Sequence, residues 1–257
     1  MSLSLLDRTA GLGVRLATTD AEVAEAQRLR HKVFVAELGA VPTGDGVESD
    51  RFDGVASHLL LLDETRPEGS RVVGATRLLD GAGAAMAGGF YSEAEFDLGR
   101  LRSGGRRLLE LGRSCIDPAY RGGLGLGLLW QGLAAHVRAT GTEVLFGVAS
   151  FHGARAEAHL EALRLLATAH AAPADLRPVS RQASGLDLSR PPADRRAATL
   201  AVPGLIRSYL RLGGGVGEGA FEDGPFNTTD VCMVLDTARL TPRGRALLGG
   251  ADPGRGA

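Results

Sequence analysis

A single lysine, Lys32, stands in this chain of 257 residues, so the basic charge among its 29 Lys and Arg is almost all arginine. Together with abundant alanine and glycine, that bias reads as coding composition and removes any inference from arginine being chosen over lysine. Net charge is also scarce, at -1, which excludes an overall pull towards nucleic acid. Long apolar runs are missing: Leu59-Leu60-Leu61-Leu62 is among the longest, far short of the roughly 20 residues of a membrane-crossing helix. The two cysteines, Cys115 and Cys232, lie too far apart for metal-ligand spacing and are too few for a disulfide framework. Six histidines show no metal spacing, and no carboxylate-histidine motif accompanies His152 and His159, so no metal is expected. Trp130 lies on an apolar helical face and reads as core rather than as a stacking platform. The N-terminus lacks the basic-then-apolar pattern of a signal peptide, and a reducing cytoplasm is the expected home.

What is present suffices for a full core, with 44% hydrophobic residues, and the length is read as one domain over 1–257. Leu12 to Thr18 alternates like a strand. Asp20 is placed to cap a helix from Ala21 to about Leu38, ended by Gly39. Val41 to Gly54 carries a proline, three glycines and several acids without periodicity and reads as a loop. Strands are expected at Ser57–Leu62 and Arg71–Leu79, forming a hairpin, and at Arg107–Ile116, stopped by Asp117-Pro118. A helix to about Ala139, a strand at Val144–Ala149 and a helix from about Ala154 to His170 follow; strand, helix, strand implies a parallel pairing. The Pro-, Arg- and Ser-rich stretch at about 171–200 reads as an irregular excursion. Pro203 starts a helix to Leu212, a strand covers Thr229–Leu235, and the tail after about Arg243 is expected to fray.

Three places carry candidate chemistry. Glu48-Ser49-Asp50-Arg51-Phe52-Asp53 puts three carboxylates in six residues. This is either a solvated acidic loop or a pocket in which a cation relieves their repulsion. Glu110-Leu111-Gly112-Arg113-Ser114-Cys115-Ile116 sits on the mid-chain strand. Regular alternation sends Glu110 and Arg113 to opposite faces, so one pocket can use both only if a bulge at or just after Gly112 changes the parity. Such a bulge would also free backbone N–H groups for the oxyanion of an acyl transfer; the alternative is a Glu and an Arg each paired elsewhere. Cys115 has no base placed near it in sequence and reads as a small core residue. Tyr120-Arg121-Gly122-Gly123-Leu124-Gly125-Leu126-Gly127 brings glycines to the start of a helix, suited either to a phosphopantetheine arm or simply to tight packing. Arginines at 100, 102, 106 and 107 form a basic patch, a solvated edge or a landing place for an acidic partner.

These segments resemble the ornithine acyl-carrier-protein N-acyltransferases of ornithine-lipid synthesis and, more distantly, the acyl-homoserine-lactone synthases. The resemblance runs from about Arg28 to Leu240. It includes Arg30-His31-Lys32-Val33-Phe34-Val35, Asp50-x-Phe52-Asp53, Glu110-Leu111-Gly112-Arg113-Ser114-Cys115, Leu205-Ile206-Arg207-x-Tyr209-Leu210-Arg211 and Phe226-x-Thr228-Thr229-Asp230-Val231. It implies an α/β GNAT-type acyltransferase fold with a central mixed, largely antiparallel sheet flanked by helices. It also implies transfer of a 3-hydroxy fatty acyl group from acyl carrier protein to the α-amine of L-ornithine. The donor would arrive on the carrier's 4′-phosphopantetheine, with no permanently bound cofactor. Peripheral contact with the inner membrane fits a lipid product. Glu110 would be the base, with Arg113 beside it. Glu48, Asp50 and Asp53 would hold the substrate cation, and Arg30 or Arg77 its carboxylate; Cys115, Ile116, Arg121, Gly123 and Gly125 would meet the donor. The usual acetyl-CoA pattern needs glycine at 124 when counted from Arg121, and 124 is leucine; counted from Tyr120 it finds Gly123 and Gly125 but loses the arginine, and this irregularity suits a protein-attached donor. Rival readings are a lactone synthase, an N-acyltransferase for another amino acid, and an acyl-chain binding module.

Overall fold

The computed structural model describes residues 5–9, 11–122 and 124–248. In chain order the strands and helices are β1 (Leu5–Thr9), β2 (Leu12–Leu16), α1 (Asp20–Arg30), β3 (Ser57–Asp63), β4 (Val72–Asp80) and α2 (Gly81–Ala87). Then come β5 (Phe96–Asp97), α3 (Gly99–Ser103), β6 (Leu108–Ile116), α4 (Gly125–Thr140), β7 (Val144–His152), α5 (Leu160–Ala169) and β8 (Val179–Ser180). The chain ends with α6 (Arg195–Ala201), α7 (Gly204–Leu212), β9 (Gly215–Val216), β10 (Phe221–Asp223), β11 (Thr228–Asp236) and α8 (Pro242–Leu248). These elements fall into two compact units, one holding the residues up to Gly89 with Glu110–Gly141, the other Phe90–Leu109 with Thr142–Ala246. The class is α/β, with largely antiparallel strand pairing and flanking helices, as expected.

In the first unit the strand order is β1, β2, β3, β4, β6, with the first four antiparallel. The all-leucine run of β3 is explained by burial on both faces. Leu60 and Leu62 pack with Ala26, Leu29 and Val33 of the α1 segment and with Cys115 of β6. On the other face α4 lies so close that a Cβ on Gly132 would come 2.3 Å from Val14 Cγ1 and 3.2 Å from Leu59 Cδ1. Glycine at 132 sets that approach.

The second unit is built on β11. It pairs antiparallel with β7 over nine residues, from Thr228 opposite His152 to Asp236 opposite Val144, and with β10 and β9. Helix α7 packs against β7 and β11. Among the described residues no helix is long and apolar enough to cross a membrane.

Several expectations need correction. The helix expected from Ala21 to Leu38 is capped by Thr19, whose hydroxyl accepts from Glu22 N–H, and is α-helical only to Arg30. Residues 31–37 then widen into a π-helical turn, with Leu38 N–H bonded back to Val33 C=O at 3.1 Å, before Gly39 ends it at φ +78°. Widened and ordinary turns share one apolar spacing to the eye, so the sequence does not separate them. The tail expected to fray after Arg243 begins instead as helix α8, and the 171–200 excursion contains β8 and the start of α6.

Candidate active site

The acidic loop is folded inward by its own turn. Asp50 Oδ1 accepts from Phe52 N–H at 2.9 Å, and Asp53 Oδ2 accepts from Asp50 N–H at 3.2 Å. Phe52 is buried beneath, with the guanidinium carbons of Arg51 and Arg77 at 4.8 and 5.3 Å from its ring centre. Both carboxylates are thus turned toward the sheet face that carries α1. That face presents guanidinium groups. Arg30, at the end of α1 and 1% exposed, donates from Nη1 and Nη2 to Asp53 at 2.8 and 2.6 Å and lies 2.7 Å from Glu48 Oε2. Arg77 on β4 bonds Asp50 and, at 3.1 Å, Asp53. Arg113 on β6 reaches Glu48 at 3.0 Å and Asp50 at 3.1 Å.

Three carboxylates therefore meet three guanidiniums in one closed network. The acids expected to hold a substrate cation and the arginines expected to hold its carboxylate, Arg30 and Arg77, are here paired with one another. Burial alone would raise the Asp53 pKa, but the Arg30 hydrogen bonds and the charges of Arg30 and Arg77 outweigh it and hold the carboxyl well below its usual range. Burial lowers the His58 pKa, and its Nε2 lies 3.0 Å from Asp53 C=O. The network also borders a pocket of about 530 Å³, whose lining includes Gln27, Asp53 and His58. Its accessible edge is Asp50, with a side chain 21% exposed, and Arg113, at 10%.

The parity problem on β6 is resolved at Arg113. Its φ of +53° lies in the left-handed region, rare for a residue with a side chain and costing about 1–2 kcal/mol. A Cβ on Gly112 would sit 3.8 Å from Arg77 Nη2, while Arg113 binds Glu48 and Asp50. Two consecutive positions thus face the same cluster, which a regular strand forbids. Alternation from Gly112 back to Glu110 brings Glu110, 3% exposed, to that side as well. The irregularity is carried by Arg113 itself and not by the glycine before it.

The donor-side residues divide. The Cys115 side chain is packed in the α1-facing core, and burial pushes its thiol up to about 12, which agrees with the reading as a small core residue. Arg121 is bound to Glu37 through two contacts of 2.5 and 2.7 Å and donates to Ile116 C=O. Gly125 opens α4 where a Cβ would be 3.0 Å from Leu61 Cδ2 and 3.3 Å from Tyr120 C=O, so close packing accounts for the glycine. Gly123 lies outside the described residues. Within the second unit, three of the four patch arginines have acidic partners: Arg102 with Glu93 at 2.6 Å, Arg106 with Asp236 at 2.6 Å and Arg107 with Glu143 at 3.8 Å. That matching weakens the patch as a docking surface.

Sequence reasoning missed a group in the second unit, Glu95, Asp223 and Asp230, whose nearest carboxylate oxygens all lie within 4.8 Å of one another. The available signal was a buried carboxylate, Asp230, directly before the apolar run Val231–Leu235 of β11.

Residues 29–131 match the family model of the acetyltransferase (GNAT) domain. The chain is 49% identical over 250 residues to the L-ornithine N(alpha)-acyltransferase of Rhodobacter capsulatus, covering 95% of this chain and 96% of that protein. It is similar in fold to FeeM, an N-acyl amino acid synthase from uncultured soil microbes, with TM-score 0.50, 12% identity and 92% and 93% of the two chains covered. The same holds for the acyl-homoserine-lactone synthase LasI, with TM-score 0.50, 18% identity and 93% and 95% covered. Nearly full-length likeness at that identity decides the family: the chain belongs to the L-ornithine N(alpha)-acyltransferases and is an N-acyltransferase on a GNAT domain.

Proposed function

We propose that this chain transfers a 3-hydroxy fatty acyl group from the 4′-phosphopantetheine thioester of acyl carrier protein to the α-amine of L-ornithine, giving lyso-ornithine lipid. The observation that carries the acceptor is the 49% identity, across nearly the whole of both chains, to a relative bearing that activity in its name. The protein-borne donor is supported by the leucine at 124 in the turn before α4, where recognition of a free nucleotide pyrophosphate calls for glycine.

An ammonium has no lone pair to offer, so the α-amine must be neutral when it attacks the thioester carbon. As the C–N bond forms and the C–S bond breaks, Glu110 takes the amine proton and the sulfur leaves on the pantetheine arm as a thiolate, to which that proton is then passed. Backbone N–H groups at the irregular turn around Arg113 receive the oxyanion. The open edge of the network, Asp50 beside Arg113, suits the zwitterionic head of an amino acid. Glu48, Asp53, Arg30 and Arg77 act as positioning residues that hold this edge rigid. The test is steady-state acylation of ornithine by the purified enzyme, with 3-hydroxyacyl-carrier protein and 3-hydroxyacyl-CoA compared at matched chain length. The carrier-linked donor is expected to give the larger kcat/KM by at least about ten-fold, or roughly 1.4 kcal/mol of transition-state preference. Equal use of both donors refutes the donor assignment.

A further inference from the structure

Within the second unit, Asp230 on β11 stands opposite Ser150 of β7 and Phe221 of β10, and Asp223 stands opposite Thr228. Directly opposed residues share a face of the sheet, as do Thr228 and Asp230, so Asp223, Asp230 and the Ser150 hydroxyl line one face. Glu95 joins them there. All three acids are buried, Asp230 to 3% exposure. Its Oδ1 accepts no hydrogen bond, a rare and costly state for a buried carboxylate oxygen. Among the described residues neither Asp223 nor Asp230 is in an ion pair, in contrast to Glu48, Asp50 and Asp53 of the first unit, which three guanidiniums meet. Burial, with Asp223 adding to it, raises the Asp230 pKa to about 6 against the lowering effect of hydrogen bonds with Ser150, Thr228 and Glu95.

We propose that Glu95, Asp223 and Asp230 bind a primary ammonium group, the class of cation carried on the side chain of a basic amino acid; the assignment rests on the acceptor reading above. A triangle of oxygens with sides up to 4.8 Å has its centre about 2.8 Å from each corner at the widest, which is an N–H···O distance. Magnesium and calcium ordinarily take about six or more oxygen donors, more than one oxygen from each of these three carboxylates. An ammonium offers three hydrogens, one for each carboxylate, and supplies the missing partner of Asp230 Oδ1.

Calorimetric titration of the purified full chain tests this with L-ornithine, with L-norvaline, which has the same carbon chain without the terminal amine, and with magnesium and calcium chloride. The wild type is expected to bind ornithine at least ten-fold more tightly than norvaline. Asp230→Asn should weaken ornithine by at least ten-fold while leaving norvaline within about two-fold. Equal binding of the two amino acids, or parallel loss of both in the variant, overturns the proposal, and so does a metal titration that depends on Asp230. If Asp230→Asn does not fold, Asp223→Asn and the wild-type pair of titrations decide. Acylation assays on the same wild-type preparation keep the readings apart. No acylation of ornithine refutes the acceptor reading, whereas normal acylation with equal ornithine and norvaline affinity refutes the ammonium site alone.

Discussion

Asp53→Asn removes one carboxylate from a buried set in which every charge is met. Asp53 accepts from Arg30 at 2.8 and 2.6 Å, from Arg77 at 3.1 Å and from Gln27 at 3.1 Å. Asparagine keeps the shape but offers one acceptor oxygen and turns an N–H₂ toward guanidiniums, so Arg30, 1% exposed, keeps its charge and is left with Glu48 as its one carboxylate. Breaking a buried pair from one side costs about 3–5 kcal/mol. In a chain of this length that corresponds to a fall in Tm of roughly 6–20 °C, at about 2–4 °C per kcal/mol. The pH dependence fixes the cause. The folded Asp53 pKa lies below its ordinary 3.8, so its stabilising contribution is complete well above pH 3.8 and fades as pH falls below that value. The gap between wild type and Asp53→Asn in urea unfolding should be full at pH 7, narrow below about pH 4, and never widen on acidification. A gap under about 1 kcal/mol at pH 7, the range of exposed pairs, refutes the closed buried network.

Glu110→Gln should lower kcat for acyl transfer by about 10²–10⁴-fold, with the ornithine KM changed less than about three-fold, because the amide keeps the shape but takes no proton. Cys115→Ala, at a thiol raised to about 12 by burial, should keep kcat within about two-fold and show only a stability loss in thermal melts, which excludes a covalent acyl-cysteine. Gly132→Ala puts a Cβ 2.3 Å from Val14 Cγ1 and should destabilise by about 1–3 kcal/mol, read from the urea midpoint, with little change in KM.

Much of the strand layout was legible because its signals are local. The apolar runs at Ser57–Leu62 and Arg71–Leu79 and the Asp-Pro stop at 117–118 mark β3, β4 and the end of β6 without reference to anything distant. The odd spacing of Glu110 and Arg113 means one pocket can use both only if the strand parity breaks at or just after Gly112, and the left-handed residue is Arg113, directly after it. The partners of the acids were not legible. Glu48 and Arg113 are 65 positions apart, and composition cannot say that Arg30, Arg77 and Arg113 converge on three carboxylates to cancel their charge. The Glu95, Asp223 and Asp230 group is hidden for the same reason: its members come from a short turn and two strands and meet only in the folded unit.

The most direct measurement of the central claim is tandem mass spectrometry of the product made by purified enzyme from L-ornithine and 3-hydroxyacyl-carrier protein. The account requires a single amide, on the α-nitrogen, with the side-chain amine free, formed by the wild type and reduced at least about 100-fold by Glu110→Gln. A δ-linked product, no product at all, or undiminished synthesis by Glu110→Gln contradicts it.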